Sequence, residues 1–169
     1  MKYTQIRENG MTIVVKGSKW VSFEHFPITD DLKVERKLFF ENIKSKEYYF
    51  YKNCDTTNPI NPIITKLHGP YLIEDISFED YSLIDEAKAK KLFFGVLGDP
   101  MFYEEQPFGL EFINEAFVHF SSNLEKSNII YWLNRKFTPK DSYNSIYGFW
   151  AEFIFVGEKD LKLITFGED

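Results

Sequence analysis

Short runs rich in β-branched and aromatic residues, separated by turn residues, begin at the amino end of the chain. The dipeptide Asn9-Gly10 lies between two such runs, residues 3–7 and 11–16, and Asn-Gly is the preferred two-residue turn of a β-hairpin. A third run at residues 20–26 has similar strand character, although its alternation of apolar and polar positions is imperfect. The pattern therefore predicts a hairpin followed by one more strand.

Two further hairpins are predicted downstream. At the carboxyl end, residues 147–156 and 161–166 are both rich in aromatic and β-branched residues and flank a turn that contains glycine. Residues 32–53 are ambiguous, because their first part would suit a helix whereas the four aromatic residues at 48–51 favour a strand. We favour a hairpin there, with its turn at residues 41–47.

The strongest signal for a helix start is Ser77. A serine can cap a helix by accepting a backbone amide, and the acidic residues at positions 79 and 80 would lie at the positive end of the helix dipole. Lys88, Lys90 and Lys91 would lie near its negative end. The pattern predicts a first helix that opens at residue 78 and ends near these lysines.

A second helix is predicted from residue 122 or 123 to about residue 136, with Leu124, Ile129 and Trp132 among the residues of its apolar face. Between the two helices, residues 108–120 are mixed, with an alternation of Leu110, Phe112, Asn114, Ala116, Val118 and Phe120. This alternation favours a strand, and a helix is the alternative.

Strands in hairpin order, interrupted by two helices and without strict strand-helix-strand alternation, predict an α+β fold. We expect a mainly antiparallel sheet built from hairpins, with about two helices packed on one face. No internal stretch is polar enough to separate two cores, so residues 1–169 are predicted to form a single globular domain. Residues 53–70 contain three prolines and are predicted to form an ordered loop.

The apolar runs are all shorter than the roughly 20 residues that cross a bilayer. The amino terminus lacks the apolar middle of a secretory signal, and a lone cysteine, Cys54, cannot form an internal disulfide. These features predict a cytoplasmic protein. Aromatic residues make up 18% of the chain, which is more than one small core can bury, so we expect several tyrosines and tryptophans at the surface.

The negative charge of the chain is concentrated in its middle third. The net charge is −6, yet residues 1–66 carry eleven basic and eight acidic residues, and residues 126–169 carry six of each. Residues 67–125 carry twelve acidic residues against three lysines. A field of one sign repels the phosphates of nucleic acids and anionic lipids and attracts basic protein surfaces. Nucleic acid and membranes are therefore disfavoured as partners, although acids also serve solubility.

Candidate catalytic residues are few. His25, His68 and His119 are the side chains that titrate near neutral pH, and none lies in a metal-binding or nucleophile-activating pattern. A carboxylate pair such as Glu111 and Glu115 would suit acid-base chemistry, but a chain with this many acids contains such pairs by chance. We therefore predict no catalytic residue, no metal ligand and no cofactor.

Together these features favour a non-catalytic acidic protein that neutralises a basic partner. The class that fits best is a bacterial immunity protein, or antitoxin, that blocks a toxic nuclease, because a nuclease must be cationic to hold phosphates. The hypothesis requires that the central acids gather into an unneutralised outward-facing patch beside exposed aromatic anchors. The predicted partner-binding residues are Glu74, Asp75, Glu79, Asp80, Asp85, Glu86, Asp99, Glu104, Glu105, Tyr71, Tyr81, Tyr103 and Phe108.

Two other functional classes stay open at the level of sequence. One is a small-ligand-binding protein or enzyme whose pocket lies near the loop at 53–70, with His68 as its polar group. The other is an adaptor or assembly subunit that docks through an edge of its sheet.

Overall fold

The computed structural model describes residues 1–8, 10–27, 67–72, 75–76, 78–98, 109–127, 129–135 and 148–168. In these residues the chain forms two helices, α1 (Glu86–Leu97) and α2 (Leu110–Glu125), and nine strands. The strands are β1 (Thr4–Ile6), β2 (Thr12–Lys16), β3 (Lys19–Pro27), β4 (Leu67–His68), β5 (Tyr71–Leu72), β6 (Tyr81–Ile84), β7 (Ile129–Leu133), β8 (Phe149–Val156) and β9 (Asp160–Glu168).

Seven of these strands form one sheet in the order β1-β2-β3-β9-β8-β7-β6. Every neighbouring pair in this sheet is antiparallel. β1 and β6 are its edge strands within the described residues, and β4 and β5 form a separate two-stranded hairpin. The α+β fold with a mainly antiparallel sheet, predicted from the sequence, is confirmed.

Both terminal hairpins lie where the sequence predicts them. β1 pairs with β2 on either side of Gly10, whose φ of 82° lies in the left-handed region that glycine readily adopts. β8 pairs with β9 along the full length of β8, from Phe149 to Val156. β3 then pairs with β9 and so joins the two hairpins into one continuous sheet.

The first helix begins later than predicted. Phe78–Asp80 form a 3-10 turn, strand β6 follows, and α1 starts only at Glu86. Asp85, not Ser77, is the cap of α1, since its carboxylate accepts the backbone amide of Lys88 at 2.7 Å. Capping signals occur at both positions, but only the second is followed at once by strong helix formers such as alanine, lysine and leucine.

The strand favoured for residues 108–120 is wrong, and the alternative helix is present as α2. Leu110 and Val118, which the alternating pattern would place in the core, are both exposed. The apolar residues that α2 buries recur at every fourth position: Phe112, Ala116, Phe120 and Leu124. Even-numbered positions fit both a period of two and a spacing of four, so alternation alone could not separate strand from helix.

The helix predicted to run to residue 136 is also wrong, because Ile129–Leu133 form strand β7. All five residues of β7 are aliphatic or aromatic, and they pair with β8 on one side and β6 on the other. The hairpin predicted for residues 32–53 lies outside the described residues. Residues 53–66 of the predicted loop also lie outside them. The described end of that loop forms the β4–β5 hairpin.

Phenylalanine rings fill the space between the helices and the sheet. The ring of Phe120 in α2 lies 4.4 Å from that of Phe93 in α1, and 5.3 Å from those of Phe153 and Phe155 in β8, measured between centroids. Aromatic pairs at such distances contribute about 0.5–1.5 kcal/mol each beyond the burial of their surface. This cluster therefore fixes both helices on one face of the sheet.

The opposite face of the sheet is buried as well. Trp150 and Ile154 of β8 and Leu163 of β9 point to that side, and all three are buried. The β4–β5 hairpin covers part of it, since Gly69 lies so close to Trp150 that an added Cβ atom would come within 2.6 Å of the indole ring. Burial on both faces explains why β8 and β9 are almost continuously apolar, without the alternation of a half-exposed strand.

Candidate functional site

The predicted partner-binding residues fall into three groups. Glu74, Asp99, Glu104, Glu105, Tyr103 and Phe108 lie outside the described residues. Two others, Tyr71 and Tyr81, belong to the core. The five remaining residues are acids close to strand β6: Asp75, Glu79, Asp80, Asp85 and Glu86.

Tyr71 and Tyr81 do not present their rings to solvent, which corrects the prediction that they are surface anchors. Their exposed fractions are 1% and 6%. The guanidinium carbon of Arg135 lies 4.5 Å from the centroid of the Tyr71 ring. The hydroxyl of Tyr81 donates to the carboxylate of Glu152 at 2.6 Å. Both side chains are therefore packed in the core and make polar contacts within the fold.

Carboxylates bracket the edge strand β6 at both ends. Glu79 and Asp80 precede Tyr81–Ile84, and Asp85 and Glu86 follow it directly. Asp80 is half-buried and the other three are exposed. We call these four carboxylates together with β6 the acidic edge. Asp75 lies a few residues before it, and no lysine or arginine occurs between residues 75 and 86.

The charge of the acidic edge is partly compensated. Asp85 caps α1, and Glu86 forms an ion pair with Lys90 at 2.6 Å one turn along the helix. An exposed pair of this kind contributes only about 0.3–0.5 kcal/mol, because both side chains stay solvated. Arg135 donates from Nη1 to the backbone carbonyl of Asp75 at 3.1 Å. Asp85 and Glu86 therefore already have partners within α1.

The central acids do not gather into a single patch. Glu111 on α2 forms an ion pair with Lys2 at 3.7 Å, and Glu115 is buried against the amino-terminal strand. These two acids are held by groups from the amino end of the chain and contribute nothing to the acidic edge. The predicted single patch of central acids is therefore not formed by Glu111 and Glu115, and the acids around β6 are the part of that prediction that stays open.

The backbone of β6 faces outward at Leu83. Asn134 donates its amide to the carbonyl oxygen of Asp80 at 2.8 Å. In an antiparallel pair such bonds recur at alternate residues, so the amide and carbonyl groups of Leu83 point away from β7. The Leu83 side chain is 58% exposed, an unusual position for a leucine in a strand.

A shallow groove of about 480 Å³ begins at this end of the acidic edge. It combines an apolar floor from β6, β7 and α2 with carboxylates at the start of α1. The lining residues are Leu83, Ile84, Asp85, Glu86, Leu124, Ser127, Ile129 and Ile130. An apolar side chain that carries a terminal positive charge would fit both parts of this lining.

Glu115 anchors the amino-terminal strand to α2. Its carboxylate accepts the backbone amides of Lys2 and Tyr3, the latter at 2.9 Å, and the hydroxyl of Thr4 at 2.8 Å. Desolvation tends to raise the pKa of Glu115, but the hydrogen bonds from Thr4 and the two amides outweigh it and lower the pKa. This carboxylate therefore helps to hold the amino-terminal strand against α2.

Thr4 and His119 resemble a nucleophile with its base, since Thr4 Oγ1 lies 3.3 Å from His119 Nε2. Desolvation lowers the pKa of His119, although the charge of Glu115 opposes the shift. The proton of the Thr4 hydroxyl, however, is donated to Glu115 at the shorter distance of 2.8 Å. The hydroxyl can then only accept from His119, so this arrangement does not activate Thr4 for attack.

The face of the sheet opposite the helices holds a buried carboxylate that sequence reasoning missed. Glu152 in β8 is 0% exposed and accepts from Tyr81 Oη and, at 3.3 Å, from Trp150 Nε1. Burial raises the pKa of Tyr81 well above its usual value, and the charge of Glu152 adds to the shift. The signal in the sequence was a single acid inside an otherwise apolar strand. Such a residue requires a polar partner when buried.

No group of three or more histidine, cysteine, aspartate or glutamate side chains in the described ranges is arranged to hold a metal ion. Neither α1 nor α2, the helices of those ranges, is long and apolar enough to cross a membrane. Comparison of the chain with protein families, curated proteins and solved structures finds no match.

Proposed function

We propose that the chain is a non-catalytic acidic protein of the cytoplasm that binds and neutralises a basic protein partner, as a bacterial immunity protein blocks a toxic nuclease. The observation that supports the proposal is the acidic edge, where four carboxylates bracket a strand with an exposed leucine. Binding proteins of this type need no reacting group. They need a charge pattern that attracts the target and an apolar contact that excludes water.

The charge pattern bears first on the rate of association. A cluster of one sign raises the on-rate of an oppositely charged protein by roughly 10- to 1,000-fold at low ionic strength, and salt screens the effect. A nuclease is suited to such a steering field because its active site must attract phosphates. An inhibitor that competes for the same cationic surface gains both speed and selectivity.

A second candidate function is an adaptor or assembly subunit, and the exposure of Leu83 favours it. An edge strand presents unpaired backbone groups to which another chain can add a strand, and Leu83 offers that chain an apolar contact. This candidate uses the same surface as the first. The two differ in whether binding inhibits the partner.

The test is to co-express the protein with the coding sequence immediately upstream of its gene and to measure growth rescue and co-purification. Glu79→Gln combined with Asp85→Asn removes one charge at each end of β6, and asparagine keeps the ability to cap α1. The control is Glu8→Gln with Glu158→Gln, which removes the same charge from two exposed positions elsewhere.

We expect the unchanged protein and the control to restore growth, and the edge variant to bind with a reduced on-rate. Raising the salt from about 50 to 500 mM should slow association markedly for the unchanged protein and less for the edge variant. Co-purification without growth rescue would favour the adaptor. Absence of both would refute inhibition of that neighbouring product.

A further inference from the structure

We propose that the basic partner binds by adding an extended segment to the outer edge of β6, with its lysine or arginine side chains beside the acidic edge. This inference rests on the proposed function and specifies how the partner docks. It concerns the backbone of the edge strand as well as its charges. A strand that docks in this way is held by main-chain hydrogen bonds and selected by its side chains.

The geometry of β6 suits strand addition at Leu83. The strand pairs with β7 on its inner side, and in the described part of the chain β7 is its sole strand partner. The amide and carbonyl of Leu83 point to the outer side, where an incoming segment can both accept and donate. The exposed side chain of Leu83 then offers an apolar contact on one face of the added strand.

The groove beside β6 extends the contact. An incoming side chain that follows the strand toward its carboxyl end meets Ile84 and Ile130, and then the carboxylates of Asp85 and Glu86. Lysine and arginine match this order, since their methylene stems pack on apolar surface while their charged ends stay near acids and water. The groove therefore favours a basic side chain over a purely apolar one.

Charge argues against a second copy of this chain as the occupant. Two copies joined through β6 across a twofold axis would run antiparallel. That arrangement places Glu79 and Asp80 of one copy opposite Asp85 and Glu86 of the other, and like charges facing each other across strands are destabilising. A basic segment does not meet this repulsion.

The experiment uses the full chain labelled with ¹⁵N and two synthetic peptides, one of alternating lysine and valine and one of alternating glutamate and valine. Nuclear magnetic resonance would report shift changes and amide exchange at Leu83. We expect the lysine peptide to shift the signals of Ser82, Leu83 and Ile84 and to slow exchange of the Leu83 amide. The glutamate peptide should do neither.

Two variants test the location. Leu83→Lys places a positive charge on the edge, and Val118→Lys makes the same charge change at an exposed apolar position on α2. Leu83→Lys should weaken binding of the lysine peptide about tenfold, through repulsion and lost apolar contact, while Val118→Lys leaves it nearly unchanged. Comparing the two separates a local effect from a change in net charge.

The outcomes distinguish this inference from the proposed function. If a cationic protein inhibited by this chain binds both variants equally, neutralisation stands and docking on β6 is wrong. If the lysine peptide leaves Leu83 unprotected, the acids merely guard the edge against aggregation, and strand addition is refuted. Self-association that Leu83→Lys abolishes would make the occupant a second copy and overturn the assignment of a basic partner.

Discussion

The buried pair Tyr81 and Glu152 gives the sharpest test of the structure. Tyr81→Phe removes the hydroxyl that donates to Glu152 at 2.6 Å and leaves the carboxylate fully buried with one donor fewer. A hydrogen bond to a charged group contributes about 1.5–3 kcal/mol, and we expect a loss of that size in the free energy of unfolding. The indole of Trp150 moderates the loss because it still donates to Glu152.

Glu152→Gln should also be destabilising, by about 1–3 kcal/mol, because an amide offers an acceptor at only one of the two oxygen positions that accept from Tyr81 and Trp150. Combined with Tyr81→Phe it should cost less than the sum of the single changes, since both alter the hydrogen bond between Tyr81 and residue 152. We expect a coupling energy of about 1–2 kcal/mol in the double-mutant cycle. Urea unfolding, followed by far-UV circular dichroism, measures the free energy of unfolding of the unchanged protein, the two single variants and the double variant.

The pH dependence supplies an independent check. Because burial and then the charge of Glu152 raise the pKa of Tyr81, the folded chain keeps this proton when the unfolded chain begins to lose it near pH 10. Stability from Tyr81 is therefore fully present below pH 10 and is lost as the pH rises through the folded-state pKa. Tyr81→Phe should lessen that alkaline loss. A coupling energy below about 0.3 kcal/mol, with an unchanged alkaline slope, would show that the two groups do not interact.

Three further changes test other parts of the fold by the same unfolding assay. Glu115→Gln should lower stability at neutral pH by about 1–3 kcal/mol. Because the pKa of Glu115 is lowered, its contribution to stability is present above pH 4.5 and fades as the pH falls through the folded-state pKa. If the stability of the Glu115→Gln variant falls with acid as steeply as that of the unchanged protein, Glu115 does not anchor the amino-terminal strand. Gly69→Ala should cost more than Gly10→Ala, because both glycines have positive φ but only the first would press a Cβ atom into Trp150; equal losses would contradict that contact. Asp85→Ala should cost about 1 kcal/mol and Asp85→Asn much less, and similar losses would argue against the capping role.

Local pattern predicted the two terminal hairpins better than the limits of the helices. The arms of the terminal hairpins are dense in β-branched and aromatic residues, and both formed as predicted. In α2 the apolar positions satisfied two periods at once, and only tertiary packing of Phe120 against β8 selects the helix. Ser77 and Asp85 are both capable caps, and the choice between them depends on β6 pairing with β7, a long-range contact that a local window does not contain.

The sequence named some residues near the candidate site but did not predict the roles of others. Four acids named from the sequence flank strand β6, two before it and two after it. The roles of Glu115 and Glu152 could not be predicted. Each depends on partners far away in the sequence: Thr4 is more than one hundred residues from Glu115, and Tyr81 is seventy-one residues from Glu152. A count of charged residues treats such acids as surface residues, whereas in the folded chain both carboxylates are buried and accept hydrogen bonds.

The excess of aromatic residues has a structural explanation that alters the view of binding. A sheet covered on both faces needs two layers of large side chains, and rings such as Phe153 and Trp150 supply them from opposite sides of the same strand. Tyr71 and Tyr81 are part of these buried layers, so the two tyrosines expected to be surface anchors lie in the core. The recognition proposed at β6 would then depend on carboxylates, one leucine and an exposed backbone. Such contacts should be weakened by salt more than contacts anchored by buried rings would be, because screening acts on charge and not on apolar area.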